Sequence, residues 1–245
     1  MKLLLDIGNS RLKWAQCQTD LIADVAALDY QQAEFLPLLH NAWQALPTPQ
    51  VLVISVVGAQ TILDCVLQLA AEYWPQAKII QPSSTGVACG VTNAYLQPEK
   101  LGVDRWLVML AAHQYYAGAV CVVDCGTAIT LDMLTTNGQH LGGLIAPGLS
   151  IMRQALVSNT ASLNLSTAKP LSQLANNTQT AIANGVLLAA VGLIETTIAR
   201  QKSAFQLIIT GGDATLISQH LTVAHKLDAD LLFRGLAIIS EETVV

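Results

Sequence analysis

Three short segments of the chain place a carboxylate or a glycine pair directly after an apolar run. LLL at 3–5 leads into Asp6-Ile7-Gly8-Asn9-Ser10, CVV at 121–123 into Asp124-Cys125-Gly126-Thr127-Ala128, and QLIIT at 206–210 into Gly211-Gly212-Asp213-Ala214. An aspartate that closes a buried strand stands at the sheet edge, where it can hold a hydrated cation. Magnesium keeps most of its waters and needs only one or two carboxylates plus phosphates. The glycine that follows lets backbone pass close to a ligand, and turn N–H groups beside an Asn or Thr side chain bind phosphate oxygens. The Gly-Gly turn after a third apolar strand offers the same close approach to a flat adenine. One D-x-G turn is commonplace; two in register, opening two similar stretches of chain, point to a nucleotide phosphate site. The other common phosphate devices, GxxxxGK[ST] and GxGxxG, are absent from the sequence.

These turns need rigid elements behind them, and the hydrophobic pattern supplies them twice. LLLDIGNSRLKW lies over CVVDCGTAITLD: an apolar strand, Asp, any residue, Gly, a small polar residue and a returning strand. Strands are expected at 2–5, 11–18, 51–57, 78–81, 119–124, 128–134, 139–145 and 206–210, with a hairpin turn at 135–138. Phe35, Leu38, Leu39, Ala42, Trp43 and Leu46 recur at helical spacing, as do Ile62, Leu63, Val66, Leu67, Leu69 and Ala70. Further helices are expected at 104–116, 149–157, 178–200 and 231–239. Residues 82–102 have no periodicity and read as one long loop, of a length that is often functional. The fold class is therefore α/β, with two similar domains, 1–117 and 118–245, facing a cleft.

Composition removes several function classes. Hydrophobic residues make up 52% of the chain and charged residues 12%, enough apolar surface for a large core and too much for disorder. Asp and Glu outnumber Lys and Arg by 17 to 12, the reverse of a protein that grips phosphate backbones, so no nucleic-acid partner is expected. A membrane span needs about 20 apolar residues. The run 106–123 is interrupted by His113, Gln114, Tyr115, Tyr116 and Gly118, and 181–194 is too short and holds Asn184 and Gly185, so no membrane partner is expected either. Met1-Lys2-Leu3-Leu4-Leu5 resembles the start of a signal peptide, but Asp6 ends its apolar run. Cys17, Cys65, Cys89, Cys121 and Cys125 are scattered without CxxC spacing, and read as reduced thiols of a cytoplasmic protein.

DIGNS resembles the first phosphate motif of the superfamily of acetate and sugar kinases, heat-shock chaperones and actin, DCGTA its second, and GGDA its adenosine motif. Within it the chain resembles the type III pantothenate kinase family. DIGNSRLKWA at the start, AYLQPEKLGVDRW at 94–106, DCGTAITLD at 124–132 and GGLIAPG at 142–148 fit that family in order, and LGVDRW is the most family-specific. The resemblance implies two actin-like (ribonuclease H-like) domains facing a nucleotide cleft. It implies ATP-dependent phosphorylation of the pantothenate hydroxyl to 4'-phosphopantothenate, the first step of coenzyme A biosynthesis. It further implies magnesium and a monovalent cation, potassium or ammonium, and a homodimer with the substrate site near the subunit interface.

Carried over by position, the resemblance makes Asp104 the general base, since an attacking alcohol must lose its proton to a carboxylate within hydrogen-bond reach. It gives the magnesium–ATP phosphates to Asp6, Ile7, Gly8, Asn9, Ser10, Arg11, Leu12 and Lys13. It gives a monovalent cation to Asp124, and further ATP contacts to Thr127, Gly211 and Gly212. Pantothenate falls to Tyr95, Gly102, Val103, Asp104, Arg105 and Thr178, with Thr180 as the alternative to Thr178. The planar fork of Arg105 suits the substrate carboxylate.

Plainer readings exist for the same residues. Asp104 suits a helix N-terminus and Arg105 a surface ion pair; Thr178 suits a helix N-cap; Lys13, between Leu12 and Trp14, suits the solvent face of a strand. At the level of function the alternative is a non-catalytic regulatory protein, transcriptional activator-like, on the same fold. A kinase of another small alcohol is a further one. A binder needs no general base, so the full set Asp6, Asp104, Arg105 and Asp124 favours a kinase, and LGVDRW without inserted subdomains disfavours a sugar kinase.

Overall fold

The apolar runs become two five-stranded sheets with the same strand order. The structure is a computed structural model that describes residues 1–19, 21–158 and 170–242. In the first half, β1 (Lys2–Ile7), β2 (Arg11–Gln18), β3 (Leu21–Asp29), α1 (Phe35–Gln44), β4 (Val51–Val56), α2 (Gln60–Tyr73) and β5 (Lys78–Ile80) follow one another. A small hairpin, β6 (Val87–Ala88) and β7 (Val91–Thr92), and the helix α3 (Val103–Tyr115) complete it. The second half runs β8 (Val120–Cys125), β9 (Ala128–Leu134), β10 (His140–Pro147), α4 (Leu149–Ser158), α5 (Thr178–Ala199), β11 (Gln206–Thr210), α6 (Ala214–Ser218) and β12 (His225–Leu227), and α7 (Leu231–Glu242) ends the chain. The sheet orders are β3-β2-β1-β4-β5 and β10-β9-β8-β11-β12. In each, three antiparallel strands are continued by two parallel ones.

The chain divides into two units, Met1–Gln114 with Asp230–Val245, and Tyr115–Ala229. The break falls three residues before the expected 117/118, and α7, expected in the second half, packs with the first unit. Gly235 of α7 shows how closely: a Cβ there would overlap the Leu107 carbonyl of α3.

Burial explains why β1 reads as a continuous apolar run. Leu3, Leu4 and Leu5 are all fully buried, as expected for a central strand covered on both faces. Leu3, Leu5 and Ile7 share a core with Trp14, Trp43 and Trp74, in which Trp43 meets Trp14 edge-on at 6.4 Å and Trp74 at 5.1 Å. In the second unit Val123, Ile129 and Leu131 pack against Leu187, Ala190 and Ile194 of α5.

Several elements were not legible. No strand was expected at β3; Leu21 and Val25 are exposed there, so it lacks the buried alternation that marks a strand. The 82–102 loop contains the β6–β7 hairpin, turned by Cys89 (φ 48°) and Gly90 (φ 81°), both in the left-handed region that a two-residue hairpin turn needs. The short α6 and β12 were also missed. The helix expected at 178–200 is present as α5, and its 22 residues are enough in length and composition to cross a membrane, although the apolar run 181–194 alone is too short. Its inner face instead packs on the second sheet. Its buried Asn184 accepts the Leu171 N–H at 2.8 Å and donates to the Gln173 carbonyl at 2.9 Å.

All five cysteines are free thiols, and Cys17, Cys121 and Cys125 lie in the core. Burial, with the nearby Asp132, pushes the Cys121 thiol up to about 12, so it is an inert space-filler rather than a nucleophile. Asp132, the last residue of DCGTAITLD, has a structural partner the sequence did not suggest. It meets His140 Nε2 at 3.0 Å, with both side chains inaccessible to solvent.

Candidate functional site

Directly opposed residues on neighbouring strands share a face, and in the first unit this rule builds a polar row at the end of the sheet. Ser55 of β4, Asp6 of β1 and Lys13 of β2 stand side by side in register. The buried Ser55 hydroxyl donates to Asp6 Oδ1 at 2.9 Å. Burial pushes the Asp6 carboxyl above its ordinary range; Lys13 and the Ser55 hydroxyl pull it back, and the Asp104 carboxylate pushes it up again. Lys13 is thus half-buried opposite a carboxylate rather than on a plain solvent face. Ser55 is a site residue that sequence reasoning missed, because a serine inside a hydrophobic strand carries no motif.

The turn after Asp6 is held by Gly8 N–H to Arg11 O (3.1 Å), Tyr30 N–H to Ser10 O (3.4 Å) and the Tyr30 hydroxyl to Gly8 O (2.6 Å). None of these bonds uses the N–H groups of Asn9 and Ser10. Ile7 and Leu12 are fully buried in the core, so only their main chain can face a nucleotide, whereas Asn9 and Arg11 are exposed.

Asp104 sits in the first turn of α3, where its Oδ1 accepts the Arg105 N–H at 2.9 Å. Its carboxylate lies directly over Gly102: a Cβ at that position would stand 2.5 Å from Asp104 Oδ1. Arg105 is 5% exposed, not the surface ion pair of the plainer reading. Its Nη1 donates to the Tyr95 hydroxyl at 2.8 Å, and the guanidinium lies 5.7 Å from the centre of the Tyr95 ring. Tyr95, Gly102, Val103, Asp104 and Arg105 therefore form one constellation, and Asp104 is close enough to Asp6 to perturb it.

Gly102 yields a sharp expectation. The atom that an added methyl would meet is the mobile end of a side chain, so Gly102→Ala leaves the fold intact and displaces the carboxylate. A misplacement of about 1 Å near the reacting atoms lowers rate about 100-fold. We expect a kcat loss of that order with a Tm within about 2 °C of wild type, the range of an innocuous substitution. Thermal unfolding beside steady-state kinetics checks it, and an unchanged kcat refutes it.

In the second unit the equivalent row is Thr210, Asp124 and Thr130 on β11, β8 and β9. A neutral threonine replaces the lysine of the first unit. Gly126 N–H donates to Ala128 O (3.0 Å), and two glycines close on this turn from outside it. Gly148, the end of GGLIAPG, donates its N–H to Thr127 O at 2.9 Å, and a Cβ there would overlap the Gly126 carbonyl. Gly211 (φ +97°) leans on the Asp124 carboxylate and the Cys125 backbone, and Asp213 N–H donates to Cys125 O at 2.8 Å. The DCGTA and GGDA motifs are thus in contact, with Gly126 and Gly211 against the Asp124 carboxylate, whereas a Cβ at Gly212 would meet nothing within 4 Å.

Thr178 opens α5, but the N-cap is its neighbour: Asn177 Oδ1 accepts the Thr180 N–H at 2.9 Å. Thr178 instead lines an apolar groove of about 810 Å³ between α4 and α5, with Pro147, Ile151, Ala181 and Ile182.

The donor sets fit the expected cations. Among the described residues no three His, Cys, Asp or Glu side chains cluster, so a cation at either aspartate takes few protein ligands. That suits magnesium at Asp6, where waters and phosphates complete the shell. At Asp124 the glycine-walled carboxylate is a cradle that any Cβ at Gly211 would fill.

Comparison with known proteins agrees with these motifs. The sequence profile of the type III pantothenate kinase family matches residues 2–200. A type III pantothenate kinase of Nitrosococcus oceani is 39% identical over 99% of this chain and 95% of its own length. Among solved structures, a Campylobacter jejuni protein described as a Baf family transcriptional activator has a TM-score of 0.63 at 25% identity, over 99% of this chain and all of that one. A Sinorhizobium meliloti protein described as a 2-dehydro-3-deoxygalactonokinase has a TM-score of 0.57 at 15% identity, over 99% and 96%, which shows a shared fold. With the profile covering most of the sequence and the Nitrosococcus relative nearly all of it, the chain belongs to the type III pantothenate kinase family.

Proposed function

We propose that this chain transfers the γ-phosphoryl group of ATP to the pantothenate hydroxyl, with Asp104 as general base. The observation that carries the reading is the Asp104 constellation. A carboxylate on the first turn of α3 lies over Gly102, beside the Arg105–Tyr95 pair, and within electrostatic reach of Asp6. Base, acceptor contacts and first phosphate turn thus belong to one unit.

In this reading Arg105 and Tyr95 hold pantothenate through its carboxylate. Asp104 accepts the hydroxyl proton as that oxygen bonds to the γ-phosphorus; the bridging bond breaks and ADP leaves. Asp6 and Lys13, with the N–H groups of Asn9 and Ser10, orient the phosphates. Magnesium, when bound at Asp6, supplies charge neutralisation on the phosphate oxygens. Asp124, flanked by Thr130 and Thr210 rather than by a lysine, suits a potassium or ammonium ion, while Thr127, Gly211 and Gly212 suit the nucleotide. The exposed Ile151, Leu156 and Leu188 on α4 and α5 support a homodimer, and the free thiols support a cytoplasmic protein.

The regulatory alternative has one observation behind it, the likeness to the Campylobacter protein described as a transcriptional activator. ATP-dependent phosphorylation of pantothenate, assayed with magnesium and with or without potassium or ammonium, decides between them. Turnover that requires the monovalent cation supports the kinase and its cation site. Folded protein without turnover under any cation leaves the regulatory reading.

A further inference from the structure

Tyr95 lies in the long stretch between β5 and α3, where little regular structure holds it in place. We propose that Asn93 is the positioning residue of the acceptor site: it fixes Tyr95 and, through Tyr95, the Arg105 guanidinium. The inference rests on the reading that Tyr95 and Arg105 hold pantothenate.

Asn93 directly follows β7 and is 9% exposed. Its Oδ1 accepts the Tyr95 N–H at 3.0 Å, the two-residue Asx turn by which an asparagine bends its own chain. Its Nδ2 donates to the Thr85 carbonyl at 3.2 Å and to the Pro98 carbonyl at 3.4 Å, and its main-chain N–H donates to Gly86 O at 2.9 Å. One buried amide therefore ties together the segment entering the β6–β7 hairpin, the tyrosine, and the turn that leads into α3. A primary amide offers an acceptor and two donors in one plane, and only asparagine offers them on so short a stem. Beyond Tyr95 the chain of contacts continues: its hydroxyl accepts from Arg105 Nη1 at 2.8 Å, next to Asp104 in sequence. Loss of the Asn93 amide frees the Tyr95 main chain, and the partner of Arg105 moves with it.

The test is a double-mutant cycle in the intact enzyme with Asn93→Ala, Tyr95→Ala and both together. Asn93→Ala is expected to raise the pantothenate KM about tenfold, the usual scale for buried hydrogen bonds lost at a binding site, with kcat and the ATP KM within about threefold. Because Asn93 acts through Tyr95, the double variant is expected to match Tyr95→Ala within about twofold rather than multiply the two effects. A readout independent of activity accompanies it: tryptic cleavage after the exposed Lys100 speeds up in Asn93→Ala. Should the alanine variant fold poorly, Asn93→Ser keeps a short acceptor for the Tyr95 N–H and is expected to show a smaller KM rise. Multiplicative effects, or equal rises in both KM values, overturn the inference. Wild-type protein inactive toward pantothenate fails the functional reading itself, and that failure shows in the control before any variant is compared.

Discussion

Asp104→Asn is expected to lower kcat by about 100-fold or more while the pantothenate KM stays within about threefold, since losing a general base costs about 10²–10⁴ in rate. The substitution is clean on structural grounds. The carboxylate accepts the Arg105 N–H, and an asparagine Oδ1 accepts the same bond. The start of α3 and the flanking Arg105–Tyr95 pair therefore stay where they are. What changes is the ability to take a proton from the attacking hydroxyl. Because the acceptor contacts survive, binding persists and the loss falls on the chemical step, the signature of an interaction made only in the transition state. A kcat reduced by less than about tenfold would move the base elsewhere and leave Asp104 a helix-terminal carboxylate of the plainer kind. A parallel rise in KM would show that the side chain orients pantothenate instead.

Much of this site was legible because its chemistry forces unusual residues into regular patterns. An aspartate at the end of a run like LLL or CVV has no packing rationale, and its repetition in DCGTA marks the duplicated architecture in the sequence itself. Gly148 and Gly211 were visible within motifs, but their reason is spatial: each closes on the second turn at a distance that excludes any side chain. Ser55 was invisible because its partner Asp6 is distant in sequence and is reached only through parallel pairing of β1 and β4. Asn93 was invisible for a related reason: its bonds stitch a loop, and loops advertise no periodicity. β3 escaped because an exposed edge strand buries no alternating face. The helix α7 was foreseen, yet its membership of the first unit depends on the contact between Gly235 and Leu107, which no local pattern encodes.

Asp6→Asn is expected to inactivate the enzyme and to stabilise the fold. Asp6 is 6% exposed, and burial is the largest influence on its carboxyl, with Asp104 adding to it and Lys13 and Ser55 opposing it; the net displacement is upward. A carboxyl whose pKa is higher in the folded than in the unfolded chain binds its proton more tightly in the folded state. Stability is then greatest below the ordinary carboxylate value of about 4 and falls as pH rises through the raised folded value, because the unfolded state releases the proton first. Above the ordinary carboxylate value the wild type loses this stability as the buried charge forms, whereas asparagine keeps an acceptor for the Ser55 hydroxyl and carries no charge. Thermal unfolding of the nucleotide-free protein in a chelating buffer should therefore show Asp6→Asn above wild type at pH 7–8, by about 2–4 °C for each kcal/mol relieved. The gap should close as pH drops toward 4. Over the same series kcat/KM for magnesium–ATP should fall by at least about 100-fold, the scale on which removal of a preorganised electrostatic group acts. A variant less stable than wild type at neutral pH would mean that Lys13 and Ser55 outweigh burial. The carboxylate would then belong to the fold as much as to the phosphates.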